Sequence, residues 1–165
     1  KSIDSAVAQY IATVQLSLAR ASGSKALKTY VEHKIDLSNI RTALRNADDL
    51  IEGGSIPPAA LTKGVPGIVS AINRSTLPYE LAENVRKAVG DSNAVEHALS
   101  KVTADDIAHM WNVPLSIEPV FAFAALAQSQ MRLLRVLLIG KRANMSPQEI
   151  KLMLPPFLSA SHYVL

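Results

Sequence analysis

The stretch Asp36-Leu37-Ser38-Asn39-Ile40-Arg41-Thr42-Ala43-Leu44-Arg45 returns in diluted form about 94 residues later, as Gln130-Met131-Arg132-Leu133-Leu134-Arg135-Val136-Leu137-Leu138. Ile40 and Arg41 line up with Leu134 and Arg135, and the flanking positions are apolar in both copies. Each copy sits late in a long helical segment. Each is followed by a polar loop and a Pro-x-x-aliphatic start, Pro58-Ala59-Ala60-Leu61 and Pro147-Gln148-Glu149-Ile150. A repeat constrains architecture before any single residue does, because each unit must bury its apolar face against a neighbour. The expectation is an all-α chain, a helical bundle of repeated long-helix plus short-helix units. One unit is expected over about residues 1–76 and the other over about 77–165, within a single domain.

Composition agrees with helix. Apolar residues make up 48% of the 165 positions and charged residues 19%, too apolar a balance for a disordered chain. Ala and Leu supply much of that total and aromatics only 5%, which favours helices over a strand-rich sandwich. A net charge of +3 gives little electrostatic support for nucleic-acid binding. With no cysteine, disulfides, thiolate zinc sites and cysteine nucleophiles are excluded. The opening at Lys1, without Met or a signal sequence, reads as a piece of a longer protein.

Periodicity and punctuation place the elements. Ile3, Val7, Ile11, Val14 and Leu18 recur at three and four residues and predict an amphipathic helix over 3–21, ended by Gly23. Ser24 is positioned to cap a second helix over 25–46, and the short break makes the two an antiparallel hairpin. Residues 47–56 read as a loop containing Asp48, Asp49 and Gly53-Gly54-Ser55. Shorter helices are expected from Pro57-Pro58, over 67–74 after a break at Lys63-Gly64-Val65-Pro66, over 79–88, and over 91–110 with Asp91 or Ser92 as cap. A long helix follows over 117–142, then a short one opened by Ser146 and Glu149 as a capping box and stopped by Pro155-Pro156.

The 117–142 segment has to be tested as a membrane span, since a helix of that length extends on the order of 39 Å. Gln128, Gln130, Arg132 and Arg135 fall in its middle, where arginine is costly in a bilayer. The expectation is therefore a buried helix in a soluble bundle.

Chemistry is sparse. His33, His97, His109 and His162 show no metal-ligand spacing among themselves. His109 with Asp105, and His33 with Asp36, share helix faces, an arrangement more often structural than catalytic. A helical enzyme built on His109, Asp105 and Asp106 is kept as a minor alternative. Gly53-Gly54-Ser55 lacks the spacing and the lysine of a phosphate loop and reads as a turn. Arg41, Arg45, Arg132 and Arg135 stand on helices expected to be largely buried, and a buried guanidinium needs acceptors. Asp36 and Asn39, within one or two turns of Arg41, can supply them. The expectation is an internal polar network of Asp36, Asn39, Arg41, Arg45, Arg132 and Arg135 that fixes helix packing, with an interface role for the arginines as the alternative.

Tyr30-Val31-Glu32 followed by Ile35 to Arg45 resembles the repeated helix of the C subunit of archaeal and bacterial A/V-type ATPases, the family of the eukaryotic V-type subunit d. Glu118-Pro119, Arg132, Leu134-Arg135 and Gly140-Lys141, before Ser146-Pro147-Gln148-Glu149-Ile150, resemble its last long helix. The resemblance runs over roughly residues 25–150. Where the family often carries Glu and Asn, this chain has Gln130 and Leu133, so the polar network is expected to be weaker in the second copy. Family members are about twice as long, with three helical repeats in a pseudo-threefold funnel, so this chain is expected to match the C-terminal half. The resemblance implies a non-catalytic rotor spacer in the cytoplasm, peripheral to the membrane, between the central-shaft subunits and the membrane proteolipid ring. It implies proton or sodium transport by the complex, and no cofactor, nucleic acid or small-molecule ligand for this subunit. A helical-repeat adaptor outside the ATPase is the alternative.

Overall fold

The computed structural model describes residues 3–47, 49–88 and 90–154. Asp48, the pair Pro155-Pro156 and His162 lie outside the described residues. The fold is all-α, with no strand among the described residues. The helices are α1 (Ile3–Ala21), α2 (Lys25–Leu44), α3 (Pro58–Leu61), α4 (Gly64–Asn73), α5 (Tyr79–Ala88), α6 (Ser92–Trp111), α7 (Glu118–Arg142) and α8 (Pro147–Met153). They fall into two compact units, Lys1–Gly90 and Asp91–Leu165.

In the first unit, α1 and α2 form a hairpin. Gly23 turns the chain at φ +70°, a conformation a side chain would strain, and the Ser24 hydroxyl accepts from the Leu27 N–H at 3.0 Å. Lys34 on α2 reaches the Gln15 side chain of α1 at 3.3 Å. The face that α1 buries is not its large apolar stripe. Ser5, Ala12, Leu16 and Ala19 are buried, while Ile3, Val7, Ile11, Val14 and Leu18 are exposed. Three of the four buried side chains are small, which permits close approach of two helix backbones.

α2 is the axis of this unit. Leu27, Val31, Ile35, Leu37 and Ile40 are buried, and so are the polar His33, Asp36 and Asn39. α3 and α4 pack against α2, and α5 packs against α4. They bring in Leu61, Ile68, Ile72, Leu81 and Val85, all fully buried. Each such side chain is worth about 1.5–3 kcal/mol relative to an exposed one. α4 starts at Gly64, inside the expected break, because Pro66 falls in the first turn, where its missing N–H has no partner to lose.

In the second unit the Asp91 carboxylate accepts from the N–H groups of Asn93 and Ala94 and caps α6. Leu99, Val102, Ile107 and Met110 are the buried face of α6. α7 packs against α6 and α8, but the expectation of a buried helix is corrected: among its residues only Glu118, Ala122 and Gly140 are buried. Val120, Phe123, Met131, Leu134 and Leu138 are exposed. The cause is composition spread all round the helix, which leaves apolar residues on faces that neither α6 nor α8 covers. Among the described residues α7 is the one helix long and apolar enough to cross a membrane, by length and composition only. Arg132 and Arg135 in its middle would each cost at least about 2.5 kcal/mol at a bilayer centre.

The two long helices end in the same way. Asn46 (φ 55°) and Asn144 (φ 53°) follow the last helical turns with left-handed backbone. Asn46 N–H donates to Ala43 O and Ala47 N–H to Thr42 O; Asn144 N–H donates to Lys141 O and Met145 N–H to Gly140 O. Both are the paired bonds of a Schellman motif, with Asn in the place glycine usually takes. After α7 the capping box forms as expected: Ser146 Oγ accepts from Glu149 N–H and Glu149 Oε2 accepts from Ser146 N–H.

Candidate functional site

The densest polar constellation is in the first unit, where three side chains hold one stretch of irregular backbone. After α2 the chain runs back as a bent strap over residues 50–56. Asn39 meets Ile51 with both ends of its amide: Nδ2 donates to Ile51 O at 2.7 Å and Oδ1 accepts from Ile51 N–H at 2.8 Å. Gln9 of α1 repeats the pairing one residue on, accepting from Glu52 N–H at 2.8 Å and donating to Glu52 O at 3.2 Å. Asp36 takes the far end. Its Oδ2 accepts from Ser55 N–H at 2.9 Å and Ser55 Oγ at 2.6 Å, and its Oδ1 accepts from Ile56 N–H at 3.0 Å.

Two amides and a carboxylate thus satisfy the backbone of a segment that belongs to no helix. Buried backbone groups must find partners, and a strap outside any helix has none of its own. Leu50 and Ile56, at its two ends, are buried apolar anchors. The two glycines have separate reasons. Gly53 adopts φ +113°, and a Cβ there would lie 3.2 Å from Leu16 Cδ2. A Cβ on Gly54 would run into the Asp36 carboxylate. Gly53-Gly54-Ser55 is therefore the strap's fitted segment.

Asp36 is 0% exposed and Asn39 1%. Burial pushes the Asp36 carboxyl above its usual range, while the hydrogen bonds from Ser55 and Ile56 and the nearby His33 pull it back in part. His33 is itself buried, with its Nε2 at 3.1 Å from Thr76 Oγ1 and 3.2 Å from Thr76 O. Both Asp36 oxygens are engaged by strap donors, so the geometry is that of a lock rather than of an acid or base awaiting a substrate.

The residues expected to form one network are distributed differently. Asp36 and Asn39 come together, and they face the strap backbone. Arg41 is half-buried, and Arg45, Arg132 and Arg135 are exposed; of the two helices expected to be largely buried, α2 buries one broad face and α7 does not. A long flexible side chain lets the Arg45 guanidinium reach solvent from the end of the packed α2, and Arg132 and Arg135 stand on the exposed length of α7. His109 is exposed, and Asp105 is paired with Lys101 at 3.0 Å. Among the described residues no three His, Asp or Glu side chains come together to hold a metal ion. Gln9, Ser55 and the backbone of Ile51 and Glu52 were not anticipated. The one sequence signal for them was the Gly-Gly-Ser run, which marks close backbone approach as readily as a turn.

No curated protein and no solved structure matches the chain. A family model does, over residues 2–153, and its description is the C/AC39 subunit of ATP synthase. Those bounds take in both copies of the repeated helix, the strap and its clamp. The chain therefore belongs to the ATP synthase (C/AC39) subunit family.

Proposed function

We propose that the protein is a non-catalytic spacer of the central stalk in an A/V-type rotary ATPase, joining the rotor shaft to the membrane proteolipid ring. In that place it couples the head to proton or sodium transport from the cytoplasmic side, peripheral to the membrane. The observation that carries the reading is the family match over residues 2–153. Two features of the structure support it. A spacer that transmits torque has to be stiff, and the clamp fastens the longest irregular stretch of the first unit to two helices through seven hydrogen bonds. Exposed apolar residues on α1 and α7 also suit a subunit that covers these faces inside a complex. The repeat units about 1–76 and 77–165 are kept as its building blocks. Asp36 and Asn39 form the structural network, Arg41 and Arg45 extend it along α2, and Arg132 and Arg135 on α7 are placed for contact with partner subunits.

Reconstitution with the separately purified shaft subunits and proteolipid ring tests this. Co-migration of the full-length protein with both is the expected result. Failure to associate with either would remove the rotor-spacer reading while leaving the family assignment in place.

A further inference from the structure

The first unit carries a cleft of about 440 Å³ beside α4 and α5, and none of its lining residues belongs to the strap or its clamp. Its place follows from how the two helices pack. α4 buries Ile68, Ala71 and Ile72, and α5 buries Leu81, Ala82, Val85 and Ala88. Val65, Val69 and Asn73 recur every four residues on an adjoining face of α4, with Ser70 beside them. Val65 and Val69 are the half-buried apolar floor of the cleft, and Ser70, Asn73, Arg74 and Arg86 are its polar wall. Arg74 enters from the end of α4 and Arg86 from the last turn of α5, so two arginines border one opening.

Three of these polar side chains are uncommitted. The Ser70 hydroxyl, the Asn73 amide and the Arg74 guanidinium have no hydrogen-bond or ion-pair partner among the described residues. Helical hydroxyls readily turn back onto the carbonyl four residues before, as Thr13 does to Gln9 O and Thr42 to Ser38 O. Ser70 does not. Nor does the end of α4 take up Arg74. There Ala71 O accepts from Arg74 N–H, and Ile72 O accepts from both Ser75 N–H and Ser75 Oγ, so the helix is finished without the guanidinium. Arg86 is held by Glu83 at 2.9 Å, an exposed pair of the kind that contributes little and yields to a better acceptor.

We propose that this cleft binds a phosphate group borne on a small organic body. Charge selects an anion, since two arginines face one opening against the single carboxylate of Glu83. Donor number selects phosphate over carboxylate. The Glu83 carboxylate already sits on Arg86 and leaves Ser70, Asn73 and Arg74 unengaged. A phosphate brings three acceptor oxygens and a charge of about −1.5 to −2 at pH 7. Guanidinium forks, a hydroxyl and an amide are the donors that suit it. The apolar floor, and a volume within the ~300–1,000 Å³ of small-molecule sites, leave room for the body that carries it. The inference is independent of the rotor role, for which the family resemblance implies no ligand.

Calorimetric titration of the full chain at low ionic strength tests it, with inorganic phosphate and with glycerol 3-phosphate. Flotation with phosphatidylcholine vesicles containing phosphatidic acid offers the same group as a lipid headgroup. The expected result is saturable binding of one phosphate group per chain. Arg74→Gln and Arg86→Gln, both at exposed positions, should each weaken it by about tenfold or more and leave the melting temperature in place. Lys141→Gln, which removes an exposed cation from the second unit, should not change it. Binding of either soluble probe supports the proposal with a soluble phosphate as source, and binding of the vesicles alone supports it with a headgroup as source. Absence of binding in every arm would overturn it, and so would an affinity that both arginine substitutions leave unchanged. N-acetylglutamate binding as tightly as glycerol 3-phosphate would also overturn it, and would make the cleft a seat for an acidic protein segment instead.

Discussion

Asp36, Asn39 and Gln9 differ in what each leaves behind when removed. Asp36→Ala strands the N–H groups of Ser55 and Ile56 beside a buried cavity, and Asn39→Ala strands both backbone groups of Ile51. Each should cost about 2–4 kcal/mol in urea unfolding, the price of orphaned buried polar groups. Gln9 is half-buried, so water can replace it at Glu52 and Gln9→Ala should cost under about 1 kcal/mol. The pH dependence separates Asp36 from the exposed cap at Glu149. Burial raises the folded pKa of Asp36 above 3.8, so between 3.8 and that raised value the folded state binds more protons than the unfolded one. Its ionisation therefore weakens the fold as pH rises through this window, and the parent should gain stability over Asp36→Asn on acidification. The Glu149 carboxylate is held below 4.5 by its bonds with Ser146, so its contribution is present above 4.5 and lost as pH falls through the lowered value. Melting curves from pH 7 to pH 3 should show the parent gaining on Asp36→Asn and losing its advantage over Glu149→Gln. Asp36 and Asn39 were legible in the sequence as a polar pair on a helix. Their partners were not, because periodicity reports neighbours three and four residues away, and the strap returns from 12 to 20 residues on.

The helices themselves were largely legible, and their capped starts were the surest part. Ser24, Asp91 and Ser146 all accept the expected N-terminal bonds. What the pattern did not show was which face each helix buries. α1 carries a large apolar stripe and buries the smaller one, since packing against α2 rewards close approach as well as area. The matched ends of α2 and α7 allow a direct test of local backbone cost. Asn144→Gly removes a side chain from a φ of 53° without touching either Schellman bond, and should raise stability by up to about 1 kcal/mol. Gly140→Ala at the same helix end should do the opposite. Its Cβ would come within 2.7 Å of Ile150 Cγ1, and the overpacked α7–α8 contact should cost about 1–3 kcal/mol in thermal or urea unfolding.

At the scale of the molecule, the unused stripe of α1 ties the fold to the proposed role. A side chain that packs nowhere within its own unit contributes little to folding, so its replacement separates assembly from stability. Leu16 and Leu18 make the comparison, one on each side of the same helix: Leu16 is buried against the hairpin, and Leu18 is 65% exposed. Leu16→Ala should cost about 2–5 kcal/mol in unfolding and weaken association only through loss of folded protein. Leu18→Glu together with Ile11→Glu should leave unfolding within about 0.5 kcal/mol per site, because surface changes away from packed groups are nearly neutral. If the stripe is covered in the rotary complex, that charged pair should nonetheless reduce co-purification with the shaft and ring subunits by tenfold or more. A buried unpaired carboxylate opposes docking by several kcal/mol, and about 1.4 kcal/mol already accounts for each factor of ten. Circular dichroism of the isolated chain and recovery of the assembled complex, measured on the same two variants, give the answer. Full recovery of the complex with both glutamates present would mean that α1 faces solvent in the motor as it does alone, and the contacts of the spacer would have to lie elsewhere, on the exposed length of α7.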